Sequence, residues 1–330
     1  MKAAFAMGPA HLPTLFSEHD VAALQGLLDF ASLAPLTDFD AVADSVLSGL
    51  EVLVTGWDAP VIDTRALNRM PRLHTIVHAA GTVKTFVTDS VFERGIRVST
   101  AAEANAVPVA EFTLAAIIMG LKRASRFTHQ YRTQNVKRSL EGIPEMGVNN
   151  VTIGLVGASR VGRKVIALLG SLDVDIVVYD PFLDEAGAAA LGVRLADLDT
   201  LCSISNVVSL HAPDMPSTWN MIGAQQLAAM ADGTVVINTA RGRLIEPSAL
   251  AVELVSGRLD AYLDVTSPEP LPADSVLFSL PNVVITPHIA GAMGNEVHRL
   301  GSNAVAEVER LVRGLPLACA VLAQDLARIA

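Results

Sequence analysis

Short apolar runs alternate with longer mixed stretches through the second half of the chain. From Val151 onward the runs are VTIGLVG, VDIVVYD, NVVSLHAP, TVVINTARG, LDAYLDV and NVVITPHIAG. Each is largely Val, Ile and Leu, and the stretches between them leave room for a helix. This pattern is typical of a parallel sheet that helices cover on both faces. We therefore predict a doubly wound α/β domain over roughly residues 150–290.

The first hundred residues repeat this pattern more faintly. The runs KAAFAMG, EVLVTGW, TIVHAAG and IRVST predict strands of a second, smaller α/β domain. Between the two domains, EANAVPVAEFTLAAIIMGLKRASRF has the length and apolar content of a long helix. Asn105 is a candidate cap for this helix, which would place Pro108 in its first turn, where a missing N–H costs little.

A predicted helix near the end of the chain makes the first domain discontinuous. Apolar residues spaced by three and four form one face over residues 295–313, namely Val297, Leu300, Ala304, Val308 and Leu311. This face needs a surface to pack against, and we expect it to return to the first domain. We therefore predict two domains. The first comprises residues 1–104 and 291–330, and the second comprises residues 105–290. The most linker-like segment is VKRSLEGIPEMGVNN.

Composition and charge narrow the possible classes of protein. The 330 residues are 51% hydrophobic and 18% charged, which suits two well-packed cores. A net charge of -10 leaves no basic face, so we expect no nucleic-acid partner. Because no apolar run approaches ~18 residues, we expect no membrane span. The two cysteines, Cys202 and Cys319, exclude a disulfide framework and favour the cytoplasm.

The run IGLVGASRVGR, residues 153–163, resembles a turn that binds a dinucleotide, except that one glycine is missing. Gly157 permits a tight turn and Gly162 a close approach of helix to strand, while the helix N-terminus offers N–H groups to a pyrophosphate. Ser159 stands where a second glycine usually lets the phosphate approach. We expect modified geometry rather than loss of binding, although a purely structural turn remains an alternative.

An acidic residue after the next strand supports a nucleotide site. The run VDIVVYDPF places Asp180 18 residues after Gly162. A carboxylate at this place accepts hydrogen bonds from the adenosine ribose and repels a 2′-phosphate, which favours NAD over NADP. The alternative role of Asp180 is a turn cap before Pro181.

Several motifs in order resemble the D-2-hydroxyacid dehydrogenase family, which includes phosphoglycerate dehydrogenases and glyoxylate or hydroxypyruvate reductases. They are VVINTARGRLIE, LDVTSPEPLP and VVITPHIAGA, together with the glycine turn and VVYDPF. The resemblance extends from TGW and HAAGTVKTF near the start to NAVAEVERLVRGLPL near the end. It implies a Rossmann NAD-binding domain, a smaller flavodoxin-like substrate domain, a homodimer, and hydride transfer between NAD and a small 2-hydroxy or 2-oxo acid without a metal.

The resemblance also implies three catalytic residues. Arg241 in TARG matches the arginine that pairs with the substrate carboxylate, and its planar fork suits that bidentate task. His288 in TPHIAG matches the proton donor and acceptor. Glu269 in SPEPLP matches the acid that hydrogen-bonds this histidine and holds its tautomer.

Further contacts follow from the same resemblance. Asp264 matches a residue facing the nicotinamide, with a simple turn acid as the alternative. Lys84 either faces a charged substrate tail or is solvated. The remaining implied cofactor contacts are Arg160 and Val161 in the glycine turn, His211, Ala212 and Pro213 after one strand, and Asn238, Thr239 and Ala240 after another. The alternative for His211 is a packed strand end without a ligand. The implied substrate-binding loop is Ala80, Gly81 and Thr82, although it lacks the family's commoner GVG.

Two rival functions are weighed against this one. A corepressor or binding protein of the same fold would sense NAD(H) without turnover, but such a sensor needs no proton relay of Glu269 and His288. Formate dehydrogenases resemble this chain too, but their pattern has glutamine in place of that glutamate. Neither rival therefore accounts for the residues as well as a 2-hydroxyacid dehydrogenase does.

Overall fold

The computed structural model describes residues 1–135, 139–141 and 143–326. Part of the predicted linker and the last residues of the chain lie outside this description. The chain forms two compact units. The first comprises Met1–Asn105 and Ala292–Ala330, and the second comprises Ala106–Gly291.

The strands follow the apolar runs. They are β1 (Lys2–Ala6), β2 (Asp29–Phe30), β3 (Val52–Thr55), β4 (Thr75–His78), β5 (Arg97–Thr100), β6 (Val151–Val156), β7 (Val174–Tyr179), β8 (Arg194–Leu195), β9 (Val207–Leu210), β10 (Val235–Asn238), β11 (Asp260–Leu263), β12 (Val283–Ile285) and β13 (Ala320–Val321). All ten predicted strands are confirmed. The pattern missed β2, β8 and β13, which are only two residues long and lie at or near sheet edges.

The helices lie between the strands. They are α1 (His11–Leu15), α2 (Glu18–Leu27), α3 (Asp44–Leu47), α4 (Thr64–Arg69), α5 (Asp89–Glu93), α6 (Ala102–Leu121), α7 (Ala124–Gln134), α8 (Arg160–Leu169), α9 (Glu185–Leu191), α10 (Leu198–Ile204), α11 (Ala224–Ala229), α12 (Pro247–Val255) and α13 (His298–Val312). This alternation confirms the predicted α/β class.

The first unit is built on a sheet of order β13-β5-β4-β3-β1-β2. Its strands run parallel except β13, which pairs antiparallel with β5. Successive residues of β1 enter opposite cores: Ala3 and Phe5 pack on one face, and Ala4 and Ala6 on the other. A fully buried side chain such as Phe5 contributes about 1.5–3 kcal/mol, so both faces stabilise the sheet.

The second unit is built on a parallel sheet of order β12-β11-β10-β9-β6-β7-β8. From β6 the chain first adds strands on one side and then crosses to β9 on the other. The carboxyl ends of β6 and β9 therefore flank the point where strand order reverses. Ligands of open α/β sheets bind at such a switch point.

The predicted long helix between the domains is present but differs in three details. The helix begins at Ala102, so Asn105 is not its cap. The Asn105 N–H donates to the carbonyl of Ala101. The Asn105 side chain instead accepts a hydrogen bond from Ala292 N at 2.9 Å. Pro108 consequently lies in the helix interior rather than in the first turn. The helix also ends at Leu121, because Arg123 adopts a left-handed φ of 54° before α7 begins.

Among the described residues, α6 is long and apolar enough to cross a membrane, judged by length and composition alone. Half of its apolar window is buried inside the structure. Core helices of soluble proteins meet the same criteria.

The predicted amphipathic helix near the end of the chain is α13. Its apolar face packs into one core of the first unit with Phe5, Leu15 and Leu24. The approach to α1 is close, since a Cβ on Gly301 would lie 2.0 Å from the carbonyl oxygen of Leu15.

Candidate active site

His288 and Glu269 form a direct pair in the second unit. The Nδ1 atom of His288 lies 2.7 Å from Oε1 of Glu269. Both side chains are accessible, with 50% of the histidine and 41% of the glutamate exposed. Because Nδ1 is engaged by the carboxylate, Nε2 is the ring nitrogen left to face a ligand. The predicted juxtaposition of these two residues is therefore present.

Asp264, just after β11, organises the turn that carries His288. Its Oδ1 accepts hydrogen bonds from the Thr286 hydroxyl at 2.6 Å and from Ile289 N at 2.8 Å. Its Oδ2 accepts one from Ala290 N at 2.9 Å. His288 itself has a left-handed φ of 58°, and its N–H donates to the carbonyl of Asp264. The buried carboxylate thus holds a backbone conformation that non-glycine residues seldom adopt.

Arg241 follows β10 in a turn held by Asn238. The buried Asn238 side chain donates to the carbonyl of Arg241 at 2.8 Å and accepts from Ala240 N at 3.1 Å. Arg241 is half-buried, and its guanidinium donates to the carbonyl of Ala240 at 2.7 Å. This bond uses one N–H, which leaves further donors of the guanidinium for an anion.

Sheet register places the strands that precede Arg241, Glu269 and His288 side by side, with their carboxyl ends together. Asn238 pairs with Leu263 across β10 and β11, and Leu263 pairs with Ile285 across β11 and β12. Gly242 lets the Arg241 turn approach the segment before Glu269 closely. A Cβ on Gly242 would lie 1.9 Å from the carbonyl oxygen of Thr266. The carboxyl edge of the sheet therefore gathers a guanidinium, an imidazole and a carboxylate.

The glycine turn between β6 and α8 is tightly built. Gly157 has a φ of 106°, and a Cβ on Gly162 would lie 2.2 Å from the Gly157 carbonyl oxygen. Ser159 is the N-cap of α8, and its Oγ accepts from Gly162 N at 3.3 Å. The serine therefore fulfils a capping role that glycine performs less well, while its hydroxyl hydrogen is still able to donate. Arg160 and Val161 begin the helix.

Asp180 connects the end of β7 to this turn. Its Oδ2 accepts a hydrogen bond from Ala158 N at 2.7 Å, inside the glycine turn. Its Oδ1 accepts one from Phe182 N at 2.8 Å, so the turn-capping alternative is also present. A carboxylate offers about four acceptor sites, and two protein bonds leave the others for ribose hydroxyls.

His211, after β9, is buried beneath the glycine turn. Its Nε2 lies 3.0 Å from the Ser209 hydroxyl, whereas its Nδ1 is buried with no hydrogen-bond partner among the described residues. Burial lowers the pKa of His211 to about 4, so the ring is neutral at pH 7. Its carbonyl carbon would lie 2.9 Å from a Cβ on Gly157. Ala212 and Pro213 continue this strand end.

Thr239 lies at the end of β10, buried under the same edge. Its hydroxyl is 2.8 Å from that of Thr113 on α6. Ala240 is half-buried beside it. Within the residues that the structure describes, no group of three or more His, Cys, Asp or Glu side chains forms a metal site.

The predicted substrate loop belongs to the first unit, directly after β4. Ala80 is buried, while Gly81 and Thr82 are half-buried. Among the described residues, no acceptor is paired with the backbone N–H groups of these three residues. Successive unpaired N–H groups are a common anion-binding arrangement. Lys84 is exposed.

The sequence did not predict how the site residues are supported. Asp264 was predicted as a nicotinamide contact or a turn acid, and its three hydrogen bonds show at least the second role. Thr286 was not predicted at all. The only signal was its position in TPHIAG two residues before His288.

The glycine turn fits a dinucleotide on the geometry of this chain. It combines a close glycine approach, a helix N-terminus and a carboxylate at the next strand end with a buried imidazole nitrogen that has no partner in the described part of the chain. Together with the switch point of the sheet, these features define a nucleotide-binding α/β protein.

Comparison with known proteins identifies the family. Residues 114–290 match the family model described as D-isomer specific 2-hydroxyacid dehydrogenase, NAD binding domain. The hydroxypyruvate reductase of Thermotoga maritima is 35% identical over 221 residues, which cover 66% of this chain and 70% of that protein. The chain therefore belongs to the D-isomer specific 2-hydroxyacid dehydrogenase family, and its second unit contains the NAD-binding domain.

Other similar proteins are more distant or longer. The D-3-phosphoglycerate dehydrogenase of Archaeoglobus fulgidus is 30% identical over 262 residues, covering 79% of this chain but 49% of that protein. The chain spans about half the length of the phosphoglycerate dehydrogenases it matches. The crystal structure of a phosphoglycerate oxidoreductase from Rhizobium etli covers 97% of both chains with a TM-score of 0.84 at 24% identity, which shows the shared fold.

Proposed function

We propose that the protein is an NAD-dependent oxidoreductase that interconverts a small D-2-hydroxy acid and the corresponding 2-oxo acid. The observation that carries this proposal is the 2.7 Å pair of His288 and Glu269, beside the strand end that bears Arg241. The relatives are dehydrogenases and reductases of such acids, as their names state.

The His288 ring moves the proton. With Nδ1 held by Glu269, Nε2 gives its proton to the substrate oxygen during reduction and takes it back during oxidation. Bound NAD(H) supplies the hydride for the carbonyl carbon in one direction and accepts it in the other. The carbonyl thus gains one hydride and one proton and becomes the 2-hydroxy group.

Arg241 binds the substrate carboxylate. A guanidinium presents a planar fork of donors that matches a carboxylate in two parallel hydrogen bonds. The Asn238 contacts fix the turn from which it projects. This orientation matters because a misplaced carbonyl carbon cannot receive the hydride efficiently.

The cofactor is held by the glycine turn and the strand ends beside it. We assign the pyrophosphate to the turn Gly157–Gly162 and the adenosine ribose to Asp180. Three further groups lie along the same sheet edge. They are the backbone of His211, Ala212 and Pro213, the residues Thr239 and Ala240, and Asp264. Asp180 carries a negative charge that repels a 2′-phosphate, so we propose NAD rather than NADP.

The first unit is the proposed substrate domain. Within the described residues no acceptor pairs with the N–H groups of Ala80, Gly81 and Thr82, so they can bind a carboxylate, which is an anion of the proposed substrate class.

We also propose that the protein is a cytoplasmic homodimer, since the sequence has only two cysteines, Cys202 and Cys319, and α6 leaves part of an apolar surface uncovered. Light scattering that gives a monomer at assay concentration would disprove the dimer.

The decisive experiment is a panel of 2-oxo acids assayed with NADH. We expect wild-type turnover of at least one acid, and His288→Gln should lower kcat about 100-fold or more while NADH affinity stays within about twofold. His129→Gln is the matched control, because His129 is an exposed histidine of the same unit. NADH binding without turnover of any acid would favour a sensing protein instead.

A further inference from the structure

Three side chains of the second unit form a closed group that the chemistry above does not use. Nη2 of Arg243 lies 3.2 Å from Oδ2 of Asp214. The Cζ atom of the same guanidinium lies 5.0 Å from the ring centroid of Trp219, which is a cation–π contact. The indole N–H of Trp219 donates to Oδ1 of Asp214 at 2.6 Å. Each residue therefore contacts the other two, and together they form the Trp219 triad.

The Trp219 triad joins two separate segments of the chain. Two of its members follow β9, whereas Arg243 lies in the 3₁₀ turn Gly242–Leu244 after β10. Backbone hydrogen bonds cross between the same segments. The Asn220 N–H donates to the carbonyl of Arg243 at 2.8 Å, and the Ile222 N–H donates to the carbonyl of Leu244 at 3.1 Å. The side chains of the triad thus extend a junction that the backbone begins.

Both segments are tied directly to residues of the proposed site. The Thr218 hydroxyl donates to the carbonyl of Pro213 at 2.6 Å, which folds the first segment onto the strand end assigned to the cofactor. In the second segment, the Leu244 N–H donates to the carbonyl of Arg241 at 3.3 Å. The turn that carries Arg243 therefore also holds the residue assigned to the substrate carboxylate. Contacts run without a gap from one part of the site to the other.

The exposure of the Trp219 triad indicates what it does. The side chain of Arg243 is 57% exposed and that of Asp214 is 19% exposed. An ion pair at this exposure adds little to the stability of a fold, because water and salt screen it. It does restrict two flexible side chains to one arrangement, and it thereby restricts the turns from which they project.

We propose that the Trp219 triad positions the Arg241 turn against the cofactor-facing strand end, so that a carboxylate bound to Arg241 is held at a fixed place relative to the nicotinamide. Arg243 is a positioning residue, since it acts through Arg241. The triad itself rests on the contacts of the second unit, and its link to hydride transfer rests on the function proposed above. A small displacement of the carbonyl carbon from the nicotinamide slows the chemical step.

Conservative substitutions separate the contacts of the triad. Arg243→Gln removes the positive charge, and Asp214→Asn removes the negative charge at nearly the same size. Arg243→Lys keeps the charge but loses the planar group that lies over the indole ring. The matched control is Arg65→Gln, because Arg65 forms an ion pair of 3.0 Å with Asp40 that is similarly exposed and lies in the first unit.

Single-turnover oxidation of bound NADH measures the link to hydride transfer. We expect Arg243→Gln and Asp214→Asn each to lower the single-turnover rate with the 2-oxo acid about fivefold, with NADH affinity within about twofold. Arg243→Lys should recover part of the rate. Arg65→Gln should leave both the rate and the affinity unchanged.

A double-mutant cycle tests whether the contacts act as one group. If Arg243 and Asp214 act through each other, the double variant should lose no more than the larger of the two single losses. Losses that multiply would mean two independent effects and would overturn the triad.

Amide hydrogen exchange tests the junction without any assay of activity. The N–H groups of Asn220 and Ile222 cross between the two segments. Their exchange should accelerate about fivefold in Arg243→Gln and stay unchanged in Arg65→Gln. Unchanged exchange in both Arg243→Gln and Asp214→Asn would overturn the role of the triad in the junction. Faster exchange with an unchanged single-turnover rate would overturn its link to hydride transfer.

The two proposals fail in different ways. If the wild-type protein reduces no 2-oxo acid, the proposed function and the link to hydride transfer both fall. The exchange rates still decide whether the Trp219 triad holds the two segments together.

Discussion

The carboxylate of Asp264 holds the backbone of the turn in which His288 lies. It accepts hydrogen bonds from Ile289 N at 2.8 Å and from Ala290 N at 2.9 Å, the two residues that follow the histidine. Asp264 is 3% exposed, so this support is removed from solvent. The position of the proposed proton carrier thus depends on an acid 24 residues earlier in the chain, at the end of the neighbouring strand.

Asp264→Asn should weaken both the turn and the reaction. The amide group places an N–H where the carboxylate accepts one, which leaves a buried donor of the turn unpaired. We expect the free energy of unfolding to fall by about 1–3 kcal/mol and kcat by about tenfold or more. Denaturant unfolding and steady-state kinetics measure the two effects. The control is Asp274→Asn, at an exposed acid of the same unit, which should change neither the free energy of unfolding nor kcat. An Asp264→Asn enzyme with wild-type kcat would contradict the role of Asp264 in positioning His288.

The serine in the glycine turn should act mainly as a helix cap. Ser159→Ala removes the Oγ that accepts from Gly162 N and should cost about 1 kcal/mol of stability. Ser159→Gly should lower stability by only about a few tenths of a kcal/mol and change NADH affinity by no more than about tenfold. Calorimetric titration with NADH measures the second effect. A wild-type protein that binds no NADH, beside a Ser159→Gly variant that does, would show that the serine blocks the site.

Cofactor choice should depend on Asp180. Wild type should show a higher kcat/KM with NADH than with NADPH, because the carboxylate repels a 2′-phosphate. Asp180→Ala should reduce this preference, while also removing the hydrogen bond to Ala158 N. Asp175→Ala serves as the control, since it removes an exposed charge from the same strand. A wild-type preference for NADPH would refute the assignment of Asp180.

Two buried histidines should make the fold sensitive to acid. Burial lowers the pKa of His78 to about 3 and that of His211 to about 4, from 6.5. Below pH 6.5 the unfolded chain binds protons that the native rings do not, so stability falls as pH falls toward the native pKa values. Between pH 6.5 and 5.5 each histidine should cost about 1 kcal/mol.

Denaturant unfolding as a function of pH checks this contribution. His78→Gln should reduce the slope of stability against pH, whatever its effect on stability at pH 7. His129→Gln, at an exposed histidine, should leave the slope as in wild type. An identical slope in all three proteins would mean that folding does not change the pKa of His78.

The sequence by itself determined the main strands and the family. Runs rich in Val and Ile, such as those of β6 and β10, form buried parallel strands because both of their faces must leave water. The glycine turn and the segments around Arg241, Glu269 and His288 occur in the order that resembles the family, and the comparisons confirm that family. These inferences use neighbours in the chain, which a sequence contains in full.

Only the tertiary structure decided what supports those residues. Asn105 has the composition of a helix cap, yet its side chain binds Ala292 N, 187 residues away. In the same way the partners of Asp264 and His78 lie on neighbouring strands, at positions fixed by sheet register. A polar side chain buried by folding bonds to whichever group lies within about 3 Å, and that group is set by the packing of distant segments rather than by local sequence.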